Sequence, residues 1–475
     1  MNFNDISFYL FLFAVISLYR VLPWKGGRLM LVLASYFFYG LANPYYILLL
    51  FASTTTDFLV AQKISEAKQA SAKKHLLWIS LAVNISLLGF FKYADFFIGN
   101  FNFLASPLGW DQIEYLNLIL PVGISFYTFQ TLAYTIDVYR NEQNPETNYI
   151  DFALYVGYFP QLVAGPIERA KDLLPQLKKK HKVSQENLMH GLERVLWGLV
   201  KKTVIADRLA VPVLTVFQNV ESHSGFELFI ASACFSFQLY FDFSAYSDIA
   251  IGIARMMGVK LSENFSYPYT SRNQSEHWNR WHRTLTIWFR DYIYRSIMKK
   301  GERNAMKRIM AILLVFSVTG FWHGASWNKL LFGLIAGLFI VIQGFVKQLP
   351  LSRIATFNRD HFFIKTFQIL FNHWILWMSL APFFLLSSFS DAILFHKKIF
   401  TEPWQVTQIA DEFVLYLSIC ILLHVIHIIR AQFIPKMRSG DLTVNYNRVP
   451  TNLALLLVLI FGAYEYQLTF IYFQF

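Results

Sequence analysis

The stretch VFSVTGFWHGASWNKLLFGLIAG, residues 315–337, carries one imidazole, His323, in an otherwise apolar run. Ionisable groups inside membrane-spanning sequence are expensive and mark functional sites by default. Gly320 and Gly324 bracket the histidine with small residues that permit close approach of a helix or ligand, and that can end a helix. An imidazole with a pKa near 6.5 can stay neutral at physiological pH and accept a proton. Two readings of His323 stand side by side: a general base, or a histidine satisfied by a neighbouring helix. His373, His424 and His427 also lie in apolar runs but lack the Gly and Trp setting, and read as structural.

Upstream, FQLYFDFSAYSDIAIGIARMMG (237–258) adds Asp242 and Asp248 with Tyr240 and Tyr246. Paired with arginines of the following segment the aspartates would be structural; lining a cavity they would position a substrate. His282 lies in SEHWNRWHRTLTIWFRDYIYRSIMKKGERNAMKR (275–308). There Trp278, Trp281, Leu285, Trp288, Phe289 and Tyr292 recur at three- and four-residue intervals, with Arg280, Arg283, Arg290 and Arg295 on other faces. That periodicity predicts an amphipathic helix lying in the membrane interface. On spacing alone, His282 faces headgroups. The chain holds no GxSxG elbow, P-loop, GxGxxG, HExxH or Cys/His cluster, which removes the common nucleotide, zinc and serine-hydrolase chemistries. Cys234 and Cys420 cannot build a metal site by themselves and read as small core residues. No metal and no bound cofactor are expected.

The elements that must position these groups are membrane helices. Of 475 residues 55% are hydrophobic and 18% aromatic, with mean hydropathy +0.38, beyond ordinary soluble composition. About eleven to thirteen apolar segments qualify as spans: 6–20, 28–42, 45–62, 75–95, 115–137, 192–217, 225–256 (long enough to break in two), 308–322, 329–346, 366–388, 411–430 and 451–472. They leave no room for a soluble domain, so residues 1–475 read as one membrane-embedded domain, with core motifs over 115–345. The first segment lacks a basic start and a small-residue cleavage pattern, and reads as a retained helix.

A net charge of +12, from 42 Lys and Arg against 30 Asp and Glu, would suggest nucleic acid in a soluble protein. Here it reads as topology, and no nucleic-acid partner is expected. The basic stretch AQKISEAKQASAKKH (61–75) belongs in the cytoplasm. Stepping back across the turn LANP (41–44) puts Arg20, Lys25 and Arg28 on that side and the amino terminus outside. Residues 95–114 contain Asp and Glu but no Lys or Arg, as an external loop should. After Arg140 the apolar part of FALYVGYFPQLVAGPIERAKDLLPQLKKKHKV is too short and too broken by Pro160, Gly165 and Pro166 to cross. A re-entrant or interfacial hairpin fits, and such backbone at membrane depth argues for a cavity nearby. The following basic run, Lys178–Lys180 with Lys182, belongs to the cytoplasmic surface. The Gly333–Gly337 pair reads as close helix packing.

Three long motifs, FDFSAYSDIAIGIARMMGVKLSENFSYPY, WNRWHRTLTIWFRDYIY and TGFWHGASWNKLLFGLIAG, resemble successive hallmarks of the membrane-bound O-acyltransferase family, in its bacterial alginate O-acetylation branch. LPVGISFYTFQTLAYTIDVYR, YFPQLVAGPIER and the terminal FIYFQF match as well. The resemblance implies an all-α polytopic fold, a ring of helices with re-entrant and interfacial elements around a central tunnel. It marks His323 as catalytic and His282 as a second functional histidine. Trp322, Asn279, Arg283, Asp242 and Tyr246 become candidates for contacting substrate. It further implies transfer of a short acyl group, most simply acetyl, from a cytoplasmic thioester donor, acetyl-CoA or an acylated carrier protein, to an envelope polysaccharide such as alginate. An extracytoplasmic acyltransferase partner and residence in the bacterial inner membrane follow from the same likeness. D-alanyl transfer to teichoic acid, and transport without chemistry, are the competing readings.

Overall fold

A computed structural model describes the chain except for residues 1–2, 4, 300, 347–361, 403–410, 434–450, 464–469 and 471–475. Part of the expected span 451–472, and all but the first residue of FIYFQF, lie outside the described residues. Among those described, the secondary structure is helical throughout, without strands. Six helices are long and apolar enough to cross a membrane: α3 (Tyr46–Glu66), α4 (Ala70–Ala105), α11 (Gly225–Met256), α15 (Ala305–His323), α16 (Trp327–Val346) and α17 (Phe362–Leu385). Helices also occupy the other expected spans, among them α1 (Ile6–Val21), α2 (Trp24–Gly40), α5 (Ile124–Tyr139), Asp411–Phe433 and Thr451–Phe461. The chain is a multi-pass membrane protein.

The contacts divide it into two units, one chiefly of residues 1–197 and 246–262, the other chiefly of 198–245 and 263–471. In the first, α3, α4 and α5 pack through a buried polar network. Ser80 and Thr135 hydroxyls and the Asn84 amide donate to the Asp57 carboxylate, the latter two at 3.1 and 2.8 Å. Ser53 donates to Asn84 Oδ1 at 2.6 Å. The expected re-entrant segment folds as three short helices, α6 (Tyr149–Gly157), α7 (Phe159–Leu162) and α8 (Ala170–Leu177). None is long enough to span. The buried Glu168 between α7 and α8 accepts from the Ser262 amide and hydroxyl, and burial pushes its pKa up to about 7.

Several expectations are corrected. Helix α11 runs unbroken over 32 residues, because 89% of its most apolar window is buried and its apolar residues find protein on every side. The span expected at 75–95 continues to Ala105, and the one expected from 115 begins only at Ile124. The aspartates have partners upstream in the chain. In the second unit Asp242 accepts from Lys202 Nζ at 2.7 Å, and Lys202 also meets Asp207 at 2.8 Å. In the first unit Asp248 lies 2.9 Å from Arg194. Lys202 sits in a π-helical stretch, Val200–Ala206, that interrupts the expected span 192–217.

The predicted amphipathic helix over 275–308 is not one helix. Helix α12 (Gln274–Arg280) stops, His282 adopts left-handed backbone (φ 41°, ψ 53°), and α13 (Arg283–Phe289) runs into a π-helical turn, Arg290–Tyr294. The aromatic stripe is buried core: Trp278, Trp281, Trp288, Phe289 and Tyr292 all lie inside. Periodicity identified the packed face, but the stripe packs against protein instead of lipid headgroups.

Candidate functional site

The second unit brings the two sequence-marked histidines within ring contact of one indole, Trp322. Helices α15 and α16 form a tight antiparallel hairpin because their glycines leave no gap. A Cβ at Gly320 would collide with the Lys329 carbonyl oxygen, and one at Gly333 with the Phe316 carbonyl oxygen. Gly337 packs on Phe316 in the same way, so the glycine pair serves helix contact as expected. The hairpin ends α15 at His323, and Gly324 continues in extended backbone (φ 173°). His323 is 5% exposed. Its ring meets Trp322, Phe384 and Phe332 edge-on, with centroids 4.9, 5.6 and 5.9 Å away.

The surroundings of His282 are built where the helix breaks at 281–283. The Arg283 amide donates to the Asn264 carbonyl at 2.8 Å and the Ser266 amide to the Arg280 carbonyl at 3.0 Å, tying residues 264–266 alongside 280–283. The Asn264 side chain then reaches His282. Its Oδ1 accepts from the Thr284 hydroxyl at 3.0 Å and the Thr284 amide at 3.4 Å, and lies 3.0 Å from His282 Nδ1. A backbone N–H can only donate, so this atom is the amide oxygen. Nδ1 of His282 therefore donates to it, and Nε2 is the acceptor nitrogen of the neutral ring. Burial pushes the His282 pKa down to about 3, so the neutral form holds across physiological pH. The ring stands edge-on to Phe243 at 4.7 Å and to Trp322 at 6.1 Å. Trp322 thus contacts both imidazoles.

The other candidates spread out. Arg283 is half-buried and Asn279 exposed. Asp242 is engaged with Lys202. Tyr246 belongs to the first unit, where it stacks on Phe3 at 4.7 Å. Sequence reasoning missed Asn264, which fixes the His282 tautomer; its only signal was a position inside SENFSYPY. It also missed His277, fully buried, with its ring centroid 6.1 Å from that of Tyr269 and 5.8 Å from that of Trp281. His373 and His424, read from the sequence as structural, each lie within hydrogen-bond distance of a protein group. His373 Nε2 is 3.2 Å from the Ser236 hydroxyl, and His424 Nε2 donates to the Tyr269 carbonyl at 2.9 Å. Lys329, unremarked in the sequence, donates from Nζ to the Phe384 carbonyl and lies 3.6 Å from the Phe384 ring centroid. Asn328 donates to the Leu386 carbonyl at 2.8 Å. Together these two caps hold the end of α17, and hence Phe384, against His323. Among the described residues no group of three or more His, Cys, Asp and Glu side chains could hold a metal ion.

A helical membrane protein with two buried histidines about one indole defines a class, and comparison gives it a family. The model of the membrane-bound O-acyltransferase family matches residues 142–390, a stretch that includes both histidines and Asn264. The chain is 39% identical over 345 residues to a peptidoglycan O-acetyltransferase of Helicobacter pylori, covering 66% of this chain and 64% of that protein, a little under two thirds of its length. It is 34% identical over 344 residues to a probable alginate O-acetylase of Pseudomonas putida, covering 72% of this chain and 70% of that one. A teichoic acid D-alanyltransferase of Bacillus subtilis is 28% identical over 243 residues, 49% of this chain and 61% of that protein. The chain belongs to the membrane-bound O-acyltransferase family. Acyl transfer is accordingly the class of chemistry against which its site is read.

Proposed function

We propose that this protein transfers an acetyl group from a cytoplasmic thioester, acetyl-CoA or an acylated carrier protein, for O-acetylation of a polysaccharide outside the bacterial inner membrane. The observation that carries the reading is the pair of buried imidazoles that both contact Trp322, one of them held as a neutral tautomer. In this reading His323 is the general base. It takes the proton of an attacking hydroxyl, the hydroxyl oxygen bonds to the thioester carbonyl carbon, and the carbon–sulfur bond breaks as the tetrahedral intermediate collapses. The departing thiolate receives the proton back from the imidazolium, which restores the base for the next cycle. General-base assistance of this kind is worth roughly 10²–10⁴-fold. His282, with Nδ1 committed to Asn264, presents Nε2 as an acceptor that orients the donor or shares the proton.

Trp322 contacts both rings and would form the wall against which the acyl group lies. Arg283, and more distantly Asn279, Asp242 and Tyr246, remain candidates for substrate contact. The reading requires His323 to be reached by donor from inside and acceptor from outside. A membrane position suits that chemistry, because the donor is made in the cytoplasm and the polymer lies beyond the lipid.

The acetyl choice rests on relatives named for acetyl transfer at 34–39% identity, against 28% for the D-alanyl transferase. The test offers the purified protein radiolabelled acetyl-CoA, acetylated carrier protein and D-alanylated carrier protein in turn. His323-dependent consumption of either acetyl donor supports the proposal. Use of the D-alanyl donor alone redirects it, and passage of intact donor without bond cleavage identifies a transporter.

A further inference from the structure

Lys329 is pinned around His323 at three points. Its carbonyl oxygen packs on Gly320, about a turn before the histidine, where an added Cβ would collide with it. Its stem lies across Gly324, the residue after the histidine, with Cγ and Cε 3.1 and 3.2 Å from where a Cβ would stand. Its amine turns to the end of α17, donates to the Phe384 carbonyl and lies 3.6 Å from the Phe384 ring centroid. That same ring meets the His323 imidazole with centroids 5.6 Å apart. The two distances hold the ammonium within about 9 Å of the imidazole, a range over which like charges in a protein interior still repel.

A lysine near a helix end ordinarily carries its amine along the surface to water. Lys329, the third residue of α16, is 7% exposed and points its amine inward. A carbonyl oxygen and an aromatic face both suit a cation. Holding the end of α17 does not call for one, because Asn328 caps the Leu386 carbonyl at 2.8 Å with a neutral amide. The lysine therefore brings to this corner a property that the cap does not need, a fixed positive charge beside the proposed base.

The effect of that charge on a substrate depends on the acyl group. Acetyl is neutral. An aminoacyl group carries an ammonium on the carbon bonded to the reacting carbonyl, so placing the carbonyl at His323 brings the ammonium into the field of Lys329. We propose that Lys329 is a specificity-determining residue of the His323 site, whose ammonium admits neutral acyl groups and repels those bearing a cationic amine. The inference rests on the acyl-transfer reading and deepens it by naming the class of acyl group the site excludes. At about 9 Å and an effective dielectric near 20, two unit charges repel enough for roughly twentyfold discrimination, and water along the substrate path reduces this to about tenfold.

The test compares D-lactyl and D-alanyl thioesters, which set a hydroxyl against an ammonium at similar size, on the carrier that serves for acetyl. Purified full-length protein is assayed at about pH 6.5, where an α-amine is protonated. The wild type should show kcat/KM about tenfold lower for D-alanyl than for D-lactyl. Lys329→Gln, which keeps an amide donor for the Phe384 carbonyl but no charge, should raise the D-alanyl to D-lactyl ratio about tenfold, and Lys329→Arg should keep the wild-type ratio. A lysine that only braces Phe384 would lower both rates together and leave the ratio unmoved, which overturns the proposal. The wild type gives a second reading that needs no variant to fold. Its ratio should climb as the pH is raised to about 9 and the alanyl amine loses its charge, and a flat ratio overturns the proposal as well. Failure to consume any donor, or consumption that survives His323→Ala, is failure of the acyl-transfer reading and takes this inference with it; a His323-dependent reaction whose ratio ignores Lys329 defeats the inference alone.

Discussion

Two buried polar regions of this protein handle the membrane interior in opposite ways. In the first unit Asp57 is surrounded by donors, from Ser80, Asn84 and Thr135, on three helices whose register these bonds set. In the second unit the two histidines are framed by rings: His323 by Trp322, Phe332 and Phe384, His282 by Phe243 and Trp322, with Asn264 steering one nitrogen. The first arrangement spends its polar groups on one another and welds helices. The second surrounds its imidazoles with aromatic rings.

Four changes would break or sharpen that contrast. His323→Ala should lower acetyl transfer by about 10²–10⁴-fold, the worth of a general base, with unchanged expression and thermal unfolding in detergent. Retained activity would put His323 with the structural group. Asp57→Ala should do the reverse. Three interhelical bonds are lost, at about 0.6 kcal/mol each in membrane proteins, so thermal stability should fall by roughly 2 kcal/mol while the folded fraction keeps its turnover. A loss of turnover at normal stability would make Asp57 functional.

The third change is acid. His282 has a folded-state pKa of about 3, below the ordinary 6.5, so the unfolded chain takes up its proton first. Stability from its burial is complete above pH 6.5 and is lost as pH falls toward 3, by about 2 kcal/mol at pH 5. His277, also pushed down to about 3 by burial, adds a second share. His282→Gln should flatten the slope of unfolding temperature between pH 7 and 5, and an unaltered slope would mean that the ring is already protonated or solvated. The smallest effect concerns orientation. Asn264→Ala removes the acceptor that selects the His282 tautomer. It should lower kcat roughly tenfold with little change in KM, since the ring's orientation matters most in the transition state. A change confined to KM would assign Asn264 to binding.

The sequence carried much of this in legible form. Every apolar span marked from composition contains helix where it is described, because hydropathy reports the solvent a segment meets. The punctuated stretch around Pro160 and Gly165 is indeed made of helices too short to cross. The histidines were marked by their motifs. The misreadings share a cause. The stripe through Trp278, Trp281 and Trp288 showed helical periodicity, yet the tie between residues 264–266 and 280–283 breaks the helix at His282. The partners that the structure gives Asp242 and Asp248, Lys202 and Arg194, lie upstream and were not read from the sequence.

Composition by itself determined that this chain lives in a bilayer and which imidazoles sit in apolar surroundings. These properties are written residue by residue, since transfer to lipid depends on each side chain's own chemistry. Tertiary structure alone decided that Trp322 would touch both histidines and that Asn264 would choose a tautomer. Those outcomes depend on distances between segments far apart in the chain, and such distances are set by packing, which no local pattern encodes.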